Sequence, residues 1–275
     1  MAILPLKDDN VLKRISFQYV TVGLIAACVG VFLWQLSLGD QQGRAALQFG
    51  ATPSVLFGTR NLAPDLYVIP SYLTLFTSVF LHGGWMHLAF NMLFLWVFGD
   101  NVEDSMGHVR YLVFFLITGA LAAFAHAAFE AGSSAPLIGA SGAISAILGA
   151  YLVLHPKARL LVLFMNIIPL RLPAFVVLLG WIGMQFFSLT SGSASNTAWW
   201  AHIGGFAAGM ILIVVFKRKG VPLFDGMGWF KPAGPQLMEM ATEDERRHAK
   251  SILPNTVASR PRSAGPMPGS VRRGQ

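Results

Sequence analysis

Six apolar stretches separated by short polar joints dominate the chain. They are Val20 to Leu38, Trp85 to Phe98, Tyr111 to Phe129, Gly139 to Leu154, Pro173 to Phe187 and Ala198 to Phe216. An apolar stretch of about 20 residues can cross a bilayer as a helix. Several of the six are shorter, so their ends must extend into flanking residues or be sheltered by protein. The pattern predicts an all-α membrane protein, a bundle of six transmembrane helices.

Two further apolar runs, Tyr67 to Leu81 and Leu160 to Leu170, do not fit this series. They are short and broken by proline or polar residues, whereas a crossing helix needs a longer apolar stretch. Such runs suit an interfacial or re-entrant position. We therefore leave them out of the count of six crossings.

The scarcity of charge supports a membrane environment. Only 12% of the 275 residues are charged and 54% are hydrophobic, whereas about 25% of the residues in a soluble domain are usually charged. The formal net charge is +7, but the basic residues flank apolar spans and form no stripe with aromatic residues between them. We therefore expect the lipid bilayer as a partner, and no nucleic acid.

The distribution of lysine and arginine predicts which loops face the cytoplasm. Basic residues precede the first span, fall in the second and fourth joints, and follow the last span: Lys7, Lys13, Arg14, Arg110, Lys157, Arg159, Arg171, Lys217, Arg218 and Lys219. The opposite side has Arg44 and Arg60 in the long first loop and two short loops without either residue type. Because basic loops stay in the cytoplasm, both termini are expected to be cytoplasmic.

Composition divides the chain into three parts. Residues 1–16 form a polar N-terminal segment, residues 17–219 hold the six spans, and residues 220–275 form a tail rich in Pro, Gly, Arg and Ser. Such a tail cannot bury enough apolar surface to fold, so we expect it to be largely disordered in the cytoplasm. The first apolar stretch has no small-residue cleavage site after it, so it is expected to remain as a span.

Four polar residues share one depth in this topology. The second, fourth and sixth spans run in the same direction, so their first turns lie at one level near the outer side. His87 and Asn91 lie there in the second span, Ser141 in the fourth and His202 in the sixth. A polar side chain inside a membrane is costly without a partner, so it marks a function or a hydrogen bond between helices. Four at one level favour a function.

Ser141 and His202 have the chemistry of a catalytic pair. A serine hydroxyl is a poor nucleophile until a base takes its proton, and imidazole suits that task near neutral pH. Small residues recur at four-residue intervals on both helices: Ser141, Ser145 and Gly149 on the fourth, Gly205 and Gly209 on the sixth. This spacing lets two helices pack closely, which predicts that His202 lies within hydrogen-bonding reach of Ser141.

The remaining polar residues fit a supporting role. The six stretches contain no Asp or Glu, so no carboxylate is placed to orient His202, and the pattern indicates a Ser-His dyad. His87 and Asn91 are four residues apart on one helical face, and both can donate a hydrogen bond, as can the Ser141 backbone N–H. We expect these donors to form an oxyanion hole. The alternative is that His87 and Asn91 bond to loop backbone.

Other catalytic classes lack their residues in this sequence. It has no His-Glu-x-x-His motif for a metalloprotease, no pair of aspartates within the spans for an aspartyl protease, and no glycine-rich phosphate loop. The single cysteine, Cys28, permits neither an intramolecular disulfide nor a thiolate metal site. We therefore expect no cofactor and no metal.

Three segments together resemble the rhomboid family of intramembrane serine proteases, of the bacterial type. They are HGGWMHLAFNM (His82 to Met92), GASG (Gly139 to Gly142) and AHIGG (Ala201 to Gly205), in the family's order and on the matching helices. The resemblance covers roughly Tyr72 to Phe216. It implies a six-helix rhomboid-like bundle that cleaves transmembrane segments of other membrane proteins, in a bacterial inner (cytoplasmic) membrane, with water entering from the outer side.

The resemblance also implies a role for individual residues. By position, it makes Ser141 the nucleophile, His202 the base, His87 and Asn91 the oxyanion donors, and His82 a further histidine at the mouth of the site. Glu103 falls where family members often have an acidic residue that anchors the first loop.

Two positions depart from the family. Leu73 and Thr74 stand where some bacterial members have a Trp-Arg pair, and Ser145 stands where several have a tyrosine that stacks on the catalytic histidine. Another side chain must then hold the ring of His202, and Trp199 is one candidate.

Two other functions remain open. A catalytically silent relative that binds or escorts membrane clients typically lacks the serine or the histidine, and this chain has both. A transporter or metal-binding membrane protein using His82, His87 and His202 would have no carboxylate or thiolate ligands. Labelling by a serine-directed probe separates these readings from the protease.

Overall fold

The described part of the chain, residues 3–165, 167–191 and 198–227 of a computed structural model, is mostly helical. Its α-helices are α1 (Tyr19–Ser37), α2 (Gln42–Phe49), α3 (Pro53–Leu56), α4 (Thr74–Thr77), α5 (Trp85–Met106), α6 (His108–Phe129), α7 (Ser141–Leu154), α8 (Ala174–Thr190) and α9 (Trp199–Phe216). Its strands are β1 (Ile3–Asp8), β2 (Arg159–Phe164) and β3 (Ile168–Pro173).

All six predicted apolar stretches are helical, as α1, α5, α6, α7, α8 and α9. Three of them, α1, α6 and α9, are long and apolar enough to cross a membrane. Helices α7 and α8 are apolar but have only 14 and 17 residues. Helix α5 continues beyond the predicted end at Phe98 and carries charged residues in its last turns. The helix positions are confirmed, and the number of crossings stays a prediction.

A three-stranded antiparallel sheet in the order β1-β2-β3 corrects the expectation of an all-α fold. The run Leu160 to Leu170, expected to be interfacial or re-entrant, is a β-hairpin in which Phe164 pairs with Ile168. Residues 3–8, expected to belong to a polar N-terminal segment, add β1 to the other edge of β2. The pattern of a short apolar run is compatible with either a helix or a strand. Here pairing with β1, which is distant in sequence, selects the strand.

Asp8, at the end of β1, joins the sheet to the helices. Its Oδ2 accepts hydrogen bonds from the Tyr151 hydroxyl of α7 (2.6 Å) and from Nδ2 of Asn101 in α5 (2.8 Å). Burial raises the pKa of Asp8 to about 7, because a partly dehydrated carboxyl group disfavours its charged form. The sheet is thus fixed to α5 and α7 by one polar side chain.

The run Tyr67 to Leu81 folds as a short helical segment, Ser71–Phe80, that includes α4. Through hydrogen bonds, this segment links the first loop with the residues just before α7. The Thr77 hydroxyl donates to the carbonyl of Phe49 (2.6 Å), and the Ser78 carbonyl accepts from the Gly139 N–H (2.9 Å). This second bond fixes the backbone two residues before Ser141.

Helix α7 lies at the centre of the bundle. Every residue from Gly142 to Leu154 is buried, and α5, α6, α8 and α9 pack around it. Its C-terminal carbonyls are also paired, because Val153 accepts from the Phe224 N–H (2.6 Å) and Leu154 from the Asp225 N–H (3.0 Å). A helix of this length thus has protein, rather than lipid, around its surface and its C-terminal end.

Glu103, fully buried near the end of α5, holds the start of α1. Its carboxylate accepts hydrogen bonds from the backbone N–H groups of Val20 (3.0 Å) and Thr21 (2.8 Å) and from the Thr21 hydroxyl (2.7 Å). Nδ1 of His108 lies 2.6 Å from the same carboxylate. First-turn N–H groups lack helical acceptors, and a negative charge is favourable at that end. Glu103 therefore anchors the first helix, not the first loop.

Asp104, the next residue, holds the segment before α1. It accepts hydrogen bonds from the backbone N–H groups of Lys13 (3.2 Å), Arg14 (2.6 Å) and Ile15 (2.7 Å). The segment after α9 reaches the same place, because the Arg218 N–H donates to the Ser105 carbonyl (2.9 Å). The chain before α1 and the chain after α9 therefore lie at the same end of the bundle.

The C-terminal tail begins later than composition suggested. Val221 is buried, with 2% of its surface exposed, and the Phe224 and Asp225 N–H groups bond to α7. Residues 221–225 therefore pack on the bundle, beyond the boundary predicted after Lys219. The rest of the predicted disordered tail, residues 228–275, lies outside the described residues.

We predict that Glu103→Leu lowers the free energy of unfolding by about 3 kcal/mol or more, since it leaves several buried donors without an acceptor. Thermal unfolding in detergent micelles measures the change. Glu130→Leu, at an exposed position after α6, is the matched control and should have little effect. Equal losses in the two variants would contradict the anchoring role of Glu103.

Candidate active site

Three helices bring the predicted site residues to one place by their N-terminal turns. Ser141 is the first residue of α7, His202 lies in the first turn of α9, and His87 and Asn91 lie in the first two turns of α5. All four residues therefore lie at the N-terminal ends of their helices.

Helices α7 and α9 touch through their backbones. A Cβ added at Gly205 or Gly209 of α9 would collide with the carbonyl of Gly142 or of Ala146 in α7, and one added at Gly149 would collide with the carbonyl of Phe206. The predicted close packing through small residues is confirmed. The hydrogen bond that it was expected to allow between Ser141 and His202 is not among the contacts of the described residues. A Cβ at Gly142 would lie 3.7 Å from the carbonyl oxygen of Ala201, so the neighbours of Ser141 and His202 in sequence face each other.

Ser141 has a favourable position for a nucleophile. It is half-buried, and the first N–H in α7 with a helical acceptor is that of Ile144, bonded to the Ala140 carbonyl (2.9 Å). The N–H groups of residues 141–143 therefore have no acceptor within their own helix. The Ser145 hydroxyl donates to the Ser141 carbonyl (2.7 Å), so Ser145 reinforces the first turn.

The ring of His202 is held by side chains of α8 and α9. Its Nδ1 lies 2.8 Å from Oε1 of Gln185, which is 4% exposed. The Trp181 ring lies 5.8 Å from the imidazole at an interplanar angle of 38°, and the Trp199 ring lies edge-on at 6.2 Å. Trp199 was a sequence candidate for this role; Trp181 and Gln185 were not.

His87 and Asn91 lie against the loop that leads into α7. A Cβ at Gly139 would be 2.6 Å from Cε1 and 2.7 Å from Nε2 of His87, and 3.7 Å from Nδ2 of Asn91. Gly139 also has φ +120°, a conformation that favours glycine. Nδ1 of His87 accepts from the Gly83 N–H (3.3 Å), so in the neutral ring Nε2 carries the proton.

Nδ2 of Asn91 is a buried donor without a hydrogen-bond partner among the described residues. A buried unpaired donor is costly, and it is typical of a site where a ligand or a reacting atom completes the bond. The expected alternative, a bond from Asn91 to loop backbone, has no counterpart among the described contacts of this amide nitrogen.

His82 is buried rather than open to solvent, with 2% of its surface exposed. Gln35 of α1 fixes its backbone, accepting from the His82 N–H (2.9 Å) and donating to its carbonyl (3.3 Å). The His82 ring donates through Nδ1 to the Phe80 carbonyl (3.1 Å) and packs edge-on against His87, with ring centres 5.3 Å apart. Its position supports the ring of His87.

Gln185 is the site residue that sequence reasoning missed. Carboxylates and aromatic rings are the usual groups that orient a histidine, whereas Gln185 is a neutral amide. The signal was present, since Gln185 is a polar residue inside an apolar stretch, where such residues usually have a partner and a role. The distance along the chain hid the pairing, because α8 and α9 meet only in the folded bundle.

The fold and the polar cluster define a helical membrane protein with a site between its helices. Residues 70–219 match the profile of the Rhomboid domain family. This match covers more than half of the chain, so the protein belongs to the rhomboid family. The chain is also similar to the RHOMBOID-like protein 12, mitochondrial, of Arabidopsis thaliana, with 29% identity over 218 residues that cover 73% of this chain. The alignment spans 59% of that relative's length.

We predict that Gly209→Ala destabilises the bundle by about 1–3 kcal/mol, because the added methyl group must push α9 away from the Ala146 backbone. The unfolding temperature in detergent measures this loss. Gly30→Ala in α1 is the control, since nothing lies within 4 Å of the added Cβ and alanine favours a helix. Unchanged stability of Gly209→Ala would show that the contact between α7 and α9 is loose.

Proposed function

We propose that the protein is an intramembrane serine endopeptidase in which Ser141 is the nucleophile and His202 the base. The observation that carries this proposal is the backbone contact between α7 and α9, which sets Gly142 against Ala201. This contact supports the proposal because it sets the first turn of α7, which begins at Ser141, against the first turn of α9, which contains His202. Membership of the rhomboid family supports the same reaction class.

The proposed reaction has two acyl-transfer steps. Ser141 Oγ attacks the carbonyl carbon of the peptide bond, and its proton passes to Nε2 of His202. The imidazolium then gives this proton to the leaving amine as the C–N bond breaks. In the second step the same nitrogen takes a proton from water, whose oxygen attacks the acyl carbon; the imidazolium then gives this proton to Ser141 Oγ as the C–Oγ bond breaks. The geometry of His202 supports this role, because its Nδ1 already has a partner in Gln185.

The negative charge on the tetrahedral intermediate requires donors that are in place beforehand. Nδ2 of Asn91 is buried and unpaired among the described residues, and Nε2 of His87 lies beside Gly139. The N–H of Ser141 adds a donor from the first turn of α7. We infer that these three groups form the oxyanion hole, and that His82 keeps the His87 ring in place.

The substrates we propose are transmembrane segments of other proteins, reached within the bilayer. Six crossings with both termini in the cytoplasm fit this function. The contacts of Arg218 with Ser105 and of Lys13 with Asp225 (3.8 Å) support an even number of crossings, since both flanking segments lie at one end. Location in a bacterial inner membrane stays a prediction; the Arabidopsis relative is named as mitochondrial.

We predict that Ser141→Ala and His202→Ala each reduce cleavage to background, and that the double variant loses no more than either single one, because neither residue acts without the other. His87→Ala and Asn91→Ala should each reduce the rate ~10²- to 10³-fold, because other oxyanion donors remain. The measurement is cleavage of a single-span reporter protein in proteoliposomes, together with labelling by a fluorophosphonate.

The same set of variants separates the protease from its alternatives. A fluorophosphonate that labels the intact chain and not Ser141→Ala argues against an escort protein or a transporter. Cleavage by Ser141→Ala would end the protease proposal. Intact rates in both His87→Ala and Asn91→Ala would make these residues structural.

We predict that reporter fusions after Leu38, Phe98, Phe129, Leu154, Phe187 and Phe216 alternate in sidedness, beginning outside. The reason is the lysine and arginine asymmetry between the two sides. Each position is fused to two reporters in turn, one active only in the cytoplasm and one active only on the outer side, so the two results control each other. Two successive fusions on the same side would contradict six crossings.

A further inference from the structure

We propose that Gln185 is a positioning residue for the base: its side-chain carbonyl holds the Nδ1–H of His202, and so keeps Nε2 unprotonated toward Ser141. This inference rests on the proposed protease function and adds to it a third polar member, contributed by α8. The distance from Nδ1 to Oε1 is 2.8 Å, within the range of a good hydrogen bond.

The direction of this hydrogen bond follows from a second contact of the same amide. Nε2 of Gln185 donates to the backbone carbonyl of Trp181, at 3.3 Å. A backbone carbonyl can only accept, so the atom facing it must be the amide nitrogen, and the oxygen must face His202. The oxygen cannot donate either, so Nδ1 carries the proton. The neutral ring then has its lone pair on Nε2, the form that a base requires.

The surroundings make this contact selective. Gln185 is 4% exposed, and the rings of Trp181 and Trp199 lie beside the imidazole. An enclosed polar group that loses its hydrogen-bond partner has no water nearby to replace that partner, so the loss is costly. Gln185 thus restricts both the tautomer and the rotation of the His202 ring.

A neutral amide also suits this depth better than a carboxylate. Helices α7, α8 and α9 contain no Asp or Glu, and an ionised group at membrane depth carries a large desolvation cost. An amide oxygen accepts the same hydrogen bond without that cost. It fixes the base but adds no full negative charge beside it.

Three substitutions of one residue test the inference. Gln185→Met keeps the length of the side chain and removes the acceptor, and we expect fluorophosphonate labelling and reporter cleavage to slow ~10- to 10²-fold, as for other partners that orient a functional histidine. Gln185→Glu keeps an acceptor oxygen and should recover much of the rate. Phe186→Leu, at a neighbouring position with 50% exposure, is the control and should leave the rate unchanged.

The tautomer of His202 distinguishes positioning from a purely structural role, because a purely structural substitution at Gln185 would leave the tautomer unchanged. Nitrogen-15 spectra of histidine-labelled protein in lipid distinguish a ring protonated at Nδ1 from one protonated at Nε2, and the His202 signals are identified by their loss in His202→Ala. We expect the Nδ1-protonated form in the intact chain and a loss of that preference in Gln185→Met.

Each outcome bears on one proposal separately. An intact chain that neither cleaves the reporter nor takes up the fluorophosphonate ends the protease proposal, while the tautomer measurement still judges Gln185. An active chain whose Gln185→Met variant keeps both its rate and the Nδ1-protonated ring overturns the inference. If Gln185→Met does not fold, the tautomer of the intact chain alone tests the inference. A His202 ring protonated at Nε2 and not at Nδ1 in the intact chain would overturn it.

Discussion

The close approach of α7 and α9 is the constraint on which the rest of the site depends. Packed helices usually stay 8–10 Å apart because side chains fill the space between them. Here Gly205 and Gly209 present no side chain, so the α9 backbone rests on carbonyls of α7. In lipid, such packing is a main force between helices. The position of Ser141 relative to His202 is therefore set by backbone contact, which leaves little freedom for either helix to slide or rotate.

A helix as short as α7 can lie at the centre of the bundle because polar groups near its C-terminal end have hydrogen-bond partners there. Tyr151 donates to Asp8 of the sheet, and the carbonyls of Val153 and Leu154 are paired with N–H groups of the segment after α9. Without these partners, carbonyls of buried residues would be left without donors, which is costly. The sheet and the C-terminal segment thus stabilise the helix that has Ser141 at its other end.

The helices could be predicted from the sequence because each is a long apolar run bounded by polar residues. Polar residues stand out in such runs, which singled out His87, Asn91, Ser141 and His202, whose shared depth and roles stay a prediction. The sheet was missed because β1 and β2 are about 150 residues apart in a chain whose pattern is helical elsewhere. The resemblance to the rhomboid family implied that Glu103 anchors the first loop, whereas its carboxylate accepts from the first turn of α1, a contact that exists only once α1 packs on α5.

The two residues of the proposed dyad are thus fixed by different helices. Ser141 depends on the contact of α7 with α9, whereas the His202 ring depends on Gln185 and Trp181 of α8. Where several relatives use a tyrosine four residues after the serine, this chain has Ser145, whose hydroxyl bonds within its own helix. In this chain, side chains of α8 therefore contact and orient the His202 ring. A displacement of α8 that broke the contact between Gln185 and His202 would loosen the imidazole ring, whereas the crossing of α7 and α9 is held by backbone contacts of its own.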